Sequence, residues 1–358
     1  MTLKRAVMTA VIFEGKEKMR VAAIPRPVCG PGDVLLEVAA CGICGGDARS
    51  YFAGDQHTAM RRIPGHEMAG TVSEAGSGVT AWAPGDRIAL AADVHCGDCW
   101  YCARGLFNMC GSLRILGKHL DGGLAEYMLL TPDILSHGIV NRVPAGLSLL
   151  HAAISEPLCS VLASHDELAI QAGETVAVIG CGPMGILHLE LLRARQARVF
   201  MIDLSAPRLA LARDAFGVEV TIDASQADPV QWVRGLTEGV GADVVIVAAP
   251  SATAVRQSIQ LVRKRGRIGL FGGLPADARE VALDINLIHY NELRLVGNFS
   301  YHPRYHECAL GLLASGGVRA GKLITVYPIE ETLQGLHDIR AGKVLKAVVV
   351  PNPGRIID

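Results

Sequence analysis

The second half of the chain has a rhythm that the first half lacks. From about Ala152, short apolar runs alternate with stretches whose apolar residues recur at helical spacing. Strands are expected at 175–180, 198–202, 218–223, 243–248 and 267–271, and helices over 184–195, 206–216, 228–238 and 252–264. Strand and helix in regular alternation predict a doubly wound parallel sheet. Before that point β-rich segments follow turn signals: Pro31-Gly32-Asp33 precedes VLLEV, Gly65 to Gly70 leads into a strand, Pro84-Gly85-Asp86 precedes RIAL, and Asp121-Gly122-Gly123 precedes LAEYMLL. Closely spaced turns of this kind predict a barrel-like, largely antiparallel domain. Near 290 the rhythm breaks into LRLVGNFSY, a helix over 305–315 and short strands. That tail reads as a return to the first domain, so the expected divisions are 1–151, 152–291 and 292–358.

The apolar strand TVAVI runs straight into Gly180, Gly182 and Gly185 at G-x-G-x-x-G spacing. Gly180 permits a tight turn, Gly182 lets the backbone approach a pyrophosphate, and Gly185 lets the next helix pack close to the strand. Pro183 and Met184 open that helix, whose free N–H groups suit an anion. The following strand ends on Asp203, eighteen residues beyond Gly185, where a carboxylate bonds the ribose hydroxyls of NAD and repels the extra phosphate of NADP. A dinucleotide site is therefore expected, with NAD favoured, although Arg208 in the same loop would tolerate that phosphate. The plainer reading of Asp203 is a helix cap, and Ser205 and Pro207 can begin that helix without it.

Composition narrows the class. At 358 residues the chain is too long for one ordinary core, and half of it is apolar. The net charge is -1, and the basic cluster Arg263 to Arg267 lies where a helix pattern ends, so it reads as a solvated helix terminus rather than a nucleic-acid footprint. With no secretory leader and no apolar run long enough to span a bilayer, a cytoplasmic protein with no membrane partner is expected. Ten cysteines in such a chain read as metal ligands rather than disulfides.

Two stretches carry metal chemistry. Cys41-Gly-Ile-Cys44-Gly-Gly-Asp47 is followed by Gly65-His66-Glu67, and thiolate, imidazole and carboxylate are the ligand set of zinc. Taken alone, His66 reads more readily as a capping or core histidine and Cys44 as a small buried hydrophobe, so the pair is only suggestive. The second stretch is Cys96-Gly-Asp-Cys99-Trp-Tyr-Cys102 with Cys110, in a lobe at about 93–113. Four cysteines in a glycine-containing loop can enclose one tetrahedral ion completely, which reads as a structural zinc in preference to an iron-sulfur cluster, since no other electron-transfer feature accompanies it. Glu156, in Ser155-Glu156-Pro157-Leu158, reads on its own as the N-terminal acid of a helix.

Together these motifs resemble the zinc-containing medium-chain dehydrogenase/reductase family, in particular its branch of polyol (sorbitol) and threonine dehydrogenases. C-G-I-C-G-x-D at 41–47, G-H-E at 65–67, the four-cysteine lobe, E-P-L at 156–158, the glycine loop and the acid at 203 stand in family order along essentially the whole chain. The resemblance implies an α/β architecture in which a Rossmann domain is inserted into a GroES-like catalytic domain made of both chain ends. It implies a homodimer or homotetramer with two zinc ions per subunit. Cys44, His66 and Glu156 are the implied catalytic-zinc ligands, with Glu67 joining the metal or bonding its water, and Cys96, Cys99, Cys102 and Cys110 hold the structural ion. Ala248, Phe271 and Gly272 fall beside the nicotinamide, and the strand containing Phe299 at a subunit interface. The implied reaction moves a hydride from a secondary alcohol (a polyol, sugar alcohol or sugar acid, phosphorylated or not) to NAD. Zinc lowers the pKa of the bound alcohol, as it brings water from about 15.7 to about 7.

The chain departs from that branch at two positions. Relatives usually carry Ser or Thr two residues after the first ligand and often His five residues after it; here these are Gly46 and Arg49, neither of which relays a proton at neutral pH. A zinc-bound water with Glu67 is the expected proton path, with Tyr51 and His57 as further candidates. Arg49 is either a solvated surface arginine or a reader of an anionic substrate. His119 and Tyr301, together with Lys118, Ser300 and His302, are polar candidates for the substrate pocket and lean toward a hydroxylated substrate. Two other readings stay open: a metal-free quinone or enoyl reductase of the same fold, whose relatives lack the cysteine and histidine set, and a non-catalytic protein that keeps the zinc and nucleotide sites.

Overall fold

A computed structural model describes residues 6–54 and 61–352; His57 lies outside them. In chain order the strands are β1 (Val7–Gly15), β2 (Lys18–Pro25), β3 (Val34–Gly42), β4 (Glu67–Ala75), β5 (Arg87–Val94), β6 (Arg114–Ile115), β7 (Tyr127–Leu130) and β8 (Gly138–Arg142). Then come β9 (Thr175–Ile179), β10 (Arg198–Asp203), β11 (Val220–Asp223), β12 (Ala242–Val247), β13 (Val262–Leu270) and β14 (Arg294–Gly297), and finally β15 (Ile324–Pro328) and β16 (Lys346–Val350). The chain divides into two compact units. One is Met1–Cys159 with Tyr301–Gly316 and Ala320–Asp358; the other is Ser160–Ser300 with Gly317–Arg319.

In the first unit, β3 is the hub of a curled sheet ordered β15-β16-β3-β4-β5-β6, with β7 on β3 and β8 on β5. Its partner β4 runs antiparallel along its length, while its other edge is shared between β7 at Val34–Glu37 and β16 at Cys41 and Gly42. Register shifts at Leu35/Leu36 and Val38/Ala40 bend the strand, as bulges do. Val34, Leu36 and Val38 point into a core with Met68, Leu90, Leu124 and Val349. Leu35 on the opposite face is fully buried as well, as befits a strand at the centre of the sheet.

The second unit is a six-stranded parallel sheet in the order β11-β10-β9-β12-β13-β14. The order reverses around β9, the point in such sheets where ligands bind beyond the strand ends. Val176, Ala177 and Val178 of β9 are fully buried, as its unbroken apolar run requires.

One local expectation is corrected. The helix before the basic run ends at Leu261, and Arg263 to Arg267 lie inside β13, not at a helix terminus. A register shift beside Ala242 and Val244, with Arg265 at φ 56, bulges this strand. Its arginines pair outward, Arg263 with Asp243 at 2.6 Å, Arg265 with Glu292 at 3.1 Å, and Arg267 with Glu174. Among the described residues no helix is long and apolar enough to cross a membrane.

Candidate functional site

Cys44 sits where β3 gives way to the helix Gly45–Ala53, as that helix's N-cap. Its Sγ accepts from Gly46 N at 3.3 Å, while Asp47 Oδ2 accepts from Cys44 N at 2.9 Å, the reciprocal arrangement of a capping box. Gly46 therefore serves the sulfur through its backbone, a role its bare side chain concealed. Glu67 begins β4 and His66 immediately precedes it. The glycine before them is obligatory: Gly65 has φ 93, and a Cβ there would stand 2.6 Å from Cys41 Sγ.

The fold brings Cys44, His66 and Glu67 together so that one ligand atom from each lies within 4.8 Å of the others. His66 and Glu67 are buried. His66 Nδ1 is buried without a hydrogen-bond partner among the described residues and faces Asp47 Oδ1 at 4.0 Å. Burial opposes a charge on the imidazole, but Asp47, Cys44 and Glu156 outweigh it and raise its pKa well above the ordinary range. Lys346, which opens β16, reaches the cluster at Glu67. Its Nζ donates to Glu67 Oε1 at 2.5 Å, pairs with Oε2 as well, and donates to Ile43 O at 3.0 Å.

Glu156 is not within that set of three. It lies near the start of the helix Ser155–Glu167, and its Oε1 accepts from Tyr301 Oη at 2.5 Å. Burial raises its pKa to about 7; the charge of Glu67 acts in the same direction, while His66, Tyr301 and Lys346 oppose it. Around one lysine the site gathers the carboxyl groups of Asp47, Glu67 and Glu156 and the Cys44 sulfur, an excess of acidic groups that a divalent cation would offset. The donor set fits zinc.

Tyr301, expected at the substrate, is buried at 2% exposure, and its hydroxyl accepts from Ala92 N at 3.0 Å while donating to Glu156. Its groups are committed to the protein. His119 is half-buried, with Nδ1 accepting from Ile115 N at 2.9 Å. Arg49 is exposed on the helix Gly45–Ala53, and Tyr51 is packed against Phe52 and His337. Asp47 and Lys346 were not singled out from sequence. Asp47 stands within the quoted motif, and Lys346 is a lone charge opening a strand that is buried throughout, an anomaly that marks a buried partner.

The second cluster lies in the same unit. Cys96, Cys99, Cys102 and Cys110 bring their sulfurs together, with separations of 3.5 Å for Cys99–Cys102, 3.4 Å for Cys96–Cys110 and 3.9 Å for Cys96–Cys102. A tetrahedron with metal–sulfur bonds of about 2.3 Å has edges of about 3.8 Å, so the loop fits one zinc ion. Backbone N–H groups of Cys102 and Gly111 lower the Cys99 thiol to about 6. No disulfide joins any of the ten cysteines.

In the other unit, the glycine loop lies at the end of β9. Gly185 cannot carry a side chain, because its Cβ would stand 1.8 Å from Gly180 O, whereas a Cβ on Gly182 would meet nothing within 4 Å. The helix Pro183–Ala194 has no side-chain cap, which leaves its first amides open to an anion. Asp203 closes β10, its Oδ2 accepting from Cys181 N at 2.6 Å and its Oδ1 from Ser205 N at 2.9 Å. Asp203 and Arg208 both act on the Cys181 thiol, which burial raises. Ala248, Phe271 and Gly272 follow the neighbouring strands, and Gly180 lies against Ala248 and Ala249. This loop fits a dinucleotide pyrophosphate.

Comparison with known proteins agrees with both fits. Residues 30–139 match the alcohol dehydrogenase GroES-like domain, and 183–315 match the zinc-binding dehydrogenase domain. The chain is 32% identical over 333 residues to sorbitol dehydrogenase of Halalkalibacterium halodurans, across 91% of this chain and 94% of that one. It is 30% identical over 347 residues to D-arabitol-phosphate dehydrogenase of Enterococcus avium, across 95% and 96%. In structure it matches a Sinorhizobium meliloti protein assigned as a zinc-binding dehydrogenase and bound to NADP, with a TM-score of 0.90 and 34% identity over 97% of this chain and 100% of that one. With the glycine loop, the mixed-donor cluster and the four-cysteine loop in place, the chain belongs to the zinc-containing medium-chain dehydrogenase/reductase family of nicotinamide-linked oxidoreductases, alongside its polyol dehydrogenases.

Proposed function

We propose that this protein oxidises a secondary alcohol of the polyol class with NAD, using one zinc ion in the Cys44–His66–Glu67 cluster and a second, structural one in the cysteine loop. The observation that carries this reading is the convergence of thiolate, imidazole and carboxylate donors within 4.8 Å. Zinc bound there supplies Lewis acidity to the alcohol, and NAD supplies the hydride acceptor. Cys44 is held as a helix cap, His66 is backed by Asp47, and Glu67 is tethered by Lys346. Glu156 and Glu67 are the carboxylates available to hold the alcohol's proton, since Gly46 and Arg49 cannot.

Asp203, with its carboxylate fixed by two backbone N–H groups, supports NAD over NADP. Asp203→Ser is expected to raise NADP turnover relative to NAD. Exposed Ile285, Tyr290 and Phe299 flank the edge strand β14 and support a homodimer or homotetramer joined along that edge. That none of the ten cysteines is joined in a disulfide supports a cytoplasmic setting. A phosphorylated polyol is the second reading, favoured by Arg49, which is exposed five residues after Cys44 and has no ion-pair partner among the described residues.

Zinc content by mass spectrometry, with NADH formation across neutral and phosphorylated polyols, tests the proposal. Two zinc ions per chain with turnover are expected. One or none, with reduction of quinones or enones, would replace it with the metal-free reductase. Two zinc ions and nucleotide binding without turnover on any alcohol would replace it with a non-catalytic role.

A further inference from the structure

Glu156 is gripped directly by Tyr301, but a second grip reaches it through its neighbour. Ser155 Oγ donates its one proton to Ala152 O at 2.6 Å, so in its contact with His306 Nε2 at 2.8 Å the serine oxygen accepts. That leaves His306 Nδ1 as an acceptor, and Asn141 Nδ2 donates to it at 2.9 Å. Ser155 and His306 are fully buried. Asn141 lies on β8 and Ala92, which donates to Tyr301, on the adjoining β5. One strand pair therefore anchors both residues, 301 and 306, that hold Ser155 and Glu156.

Burying an imidazole, an amide and a hydroxyl is costly unless every group is paired, and an apolar filler would occupy the same volume. What the hydrogen-bonded chain adds is direction. We infer that His306 is a positioning residue for Glu156, fixing through Ser155 where the helix Ser155–Glu167 begins and hence where the Glu156 carboxylate stands beside the Cys44–His66–Glu67 cluster. This role rests on the reading of Glu156 as part of the catalytic metal site.

The test uses the full-length, zinc-loaded protein and its cobalt-substituted form. Affinity of the catalytic metal is measured by chelator competition, with the visible cobalt spectrum and kcat and KM recorded alongside. His306→Leu and Ser155→Ala are each expected to weaken the catalytic metal by about 10-fold, the usual effect of removing an outer support of a ligand. The cobalt bands should change, kcat should fall with KM little changed, and the cysteine-loop metal should stay. The double variant should be no worse than the worse single one, because both cut the same chain of bonds. His306→Gln, whose amide can donate to Ser155, should recover most of the loss.

Wild-type metal affinity and cobalt spectrum in His306→Leu or Ser155→Ala, while Glu156→Gln alters both, would overturn the positioning role and leave the reading of Glu156 standing. A lowered melting temperature alone, without change in either signal, would count the same way. If Glu156→Gln itself alters neither signal, the reading of Glu156 fails and the role of His306 falls with it. Should His306→Leu not fold, the smaller Ser155→Ala change decides by the same criteria.

Discussion

Two clusters of metal-competent side chains share one folding unit and follow opposite plans. The four cysteines lie within a single loop, Cys96 and Cys110 only 14 positions apart, beside exposed Trp100 and Tyr101. The mixed-donor cluster draws on β3, β4 and β16, with the start of the helix Ser155–Glu167 alongside, and its Lys346–Ile43 contact joins residues 303 positions apart. The first is closed by its own ligands. The second leaves carboxylates and a lysine over, so its shape depends on buried charges held against one another. A structural ion needs only a loop of the right spacing; a catalytic ion needs an environment, and that environment comes from the whole unit.

Cys44→Ala should separate the two most sharply. Loss of one ligand removes several kcal/mol of transition-state stabilisation, so turnover should fall by about 1000-fold or more while one zinc ion per chain and most of the thermal stability remain. Cys99→Ser should do the reverse, losing the loop metal and heat resistance first. Steady-state rates, metal content and melting curves on both variants would break the comparison if either change emptied both sites.

Lys346→Met comes next. It leaves the Glu67 charge buried alone, at a cost of about 3–5 kcal/mol in unfolding free energy. Added zinc should shrink that cost, because the cation takes over as partner, and Glu67→Gln in the same chain should restore at least half. Denaturant unfolding with and without zinc measures both. Asp47→Asn is smaller: weaker support of His66 should loosen the catalytic metal by about 10- to 100-fold and leave the cysteine loop unaffected. Smallest is Arg114→Ala beside the cysteine loop, whose partly exposed pair with Asp133 should contribute no more than about 1 kcal/mol. A larger loss there would show that the loop also depends on charges around it.

The same contrast explains what could be read from the chain alone. Cysteine spacing, the glycine loop and G-H-E are local patterns, so their chemistry was visible before any fold was known. Five strands of the parallel sheet were equally legible, because each strand and helix carries its own periodicity, whereas the sixth, β14, lies in the stretch that reads as the tail's return to the first domain. Lys346, Tyr301 and His306 make these contacts only at long range: nothing near Tyr301 in sequence announces Glu156, 145 positions away. The run Arg263 to Arg267 misled for another reason. A few charged residues after an amphipathic helix fit a helix end and a strand edge equally well, and pairing with β12 decides between them.

The placement of Lys346 has a consequence for how the protein is made. On the ribosome the cysteine loop is complete once Cys110 has emerged, and it can take up an ion before the strand that carries Lys346 exists. The lysine that steadies Glu67 is translated more than two hundred residues later, so the mixed-donor cluster cannot reach its finished form before that stretch has been made. A nascent chain halted midway should therefore hold one zinc ion firmly and have no catalytic power.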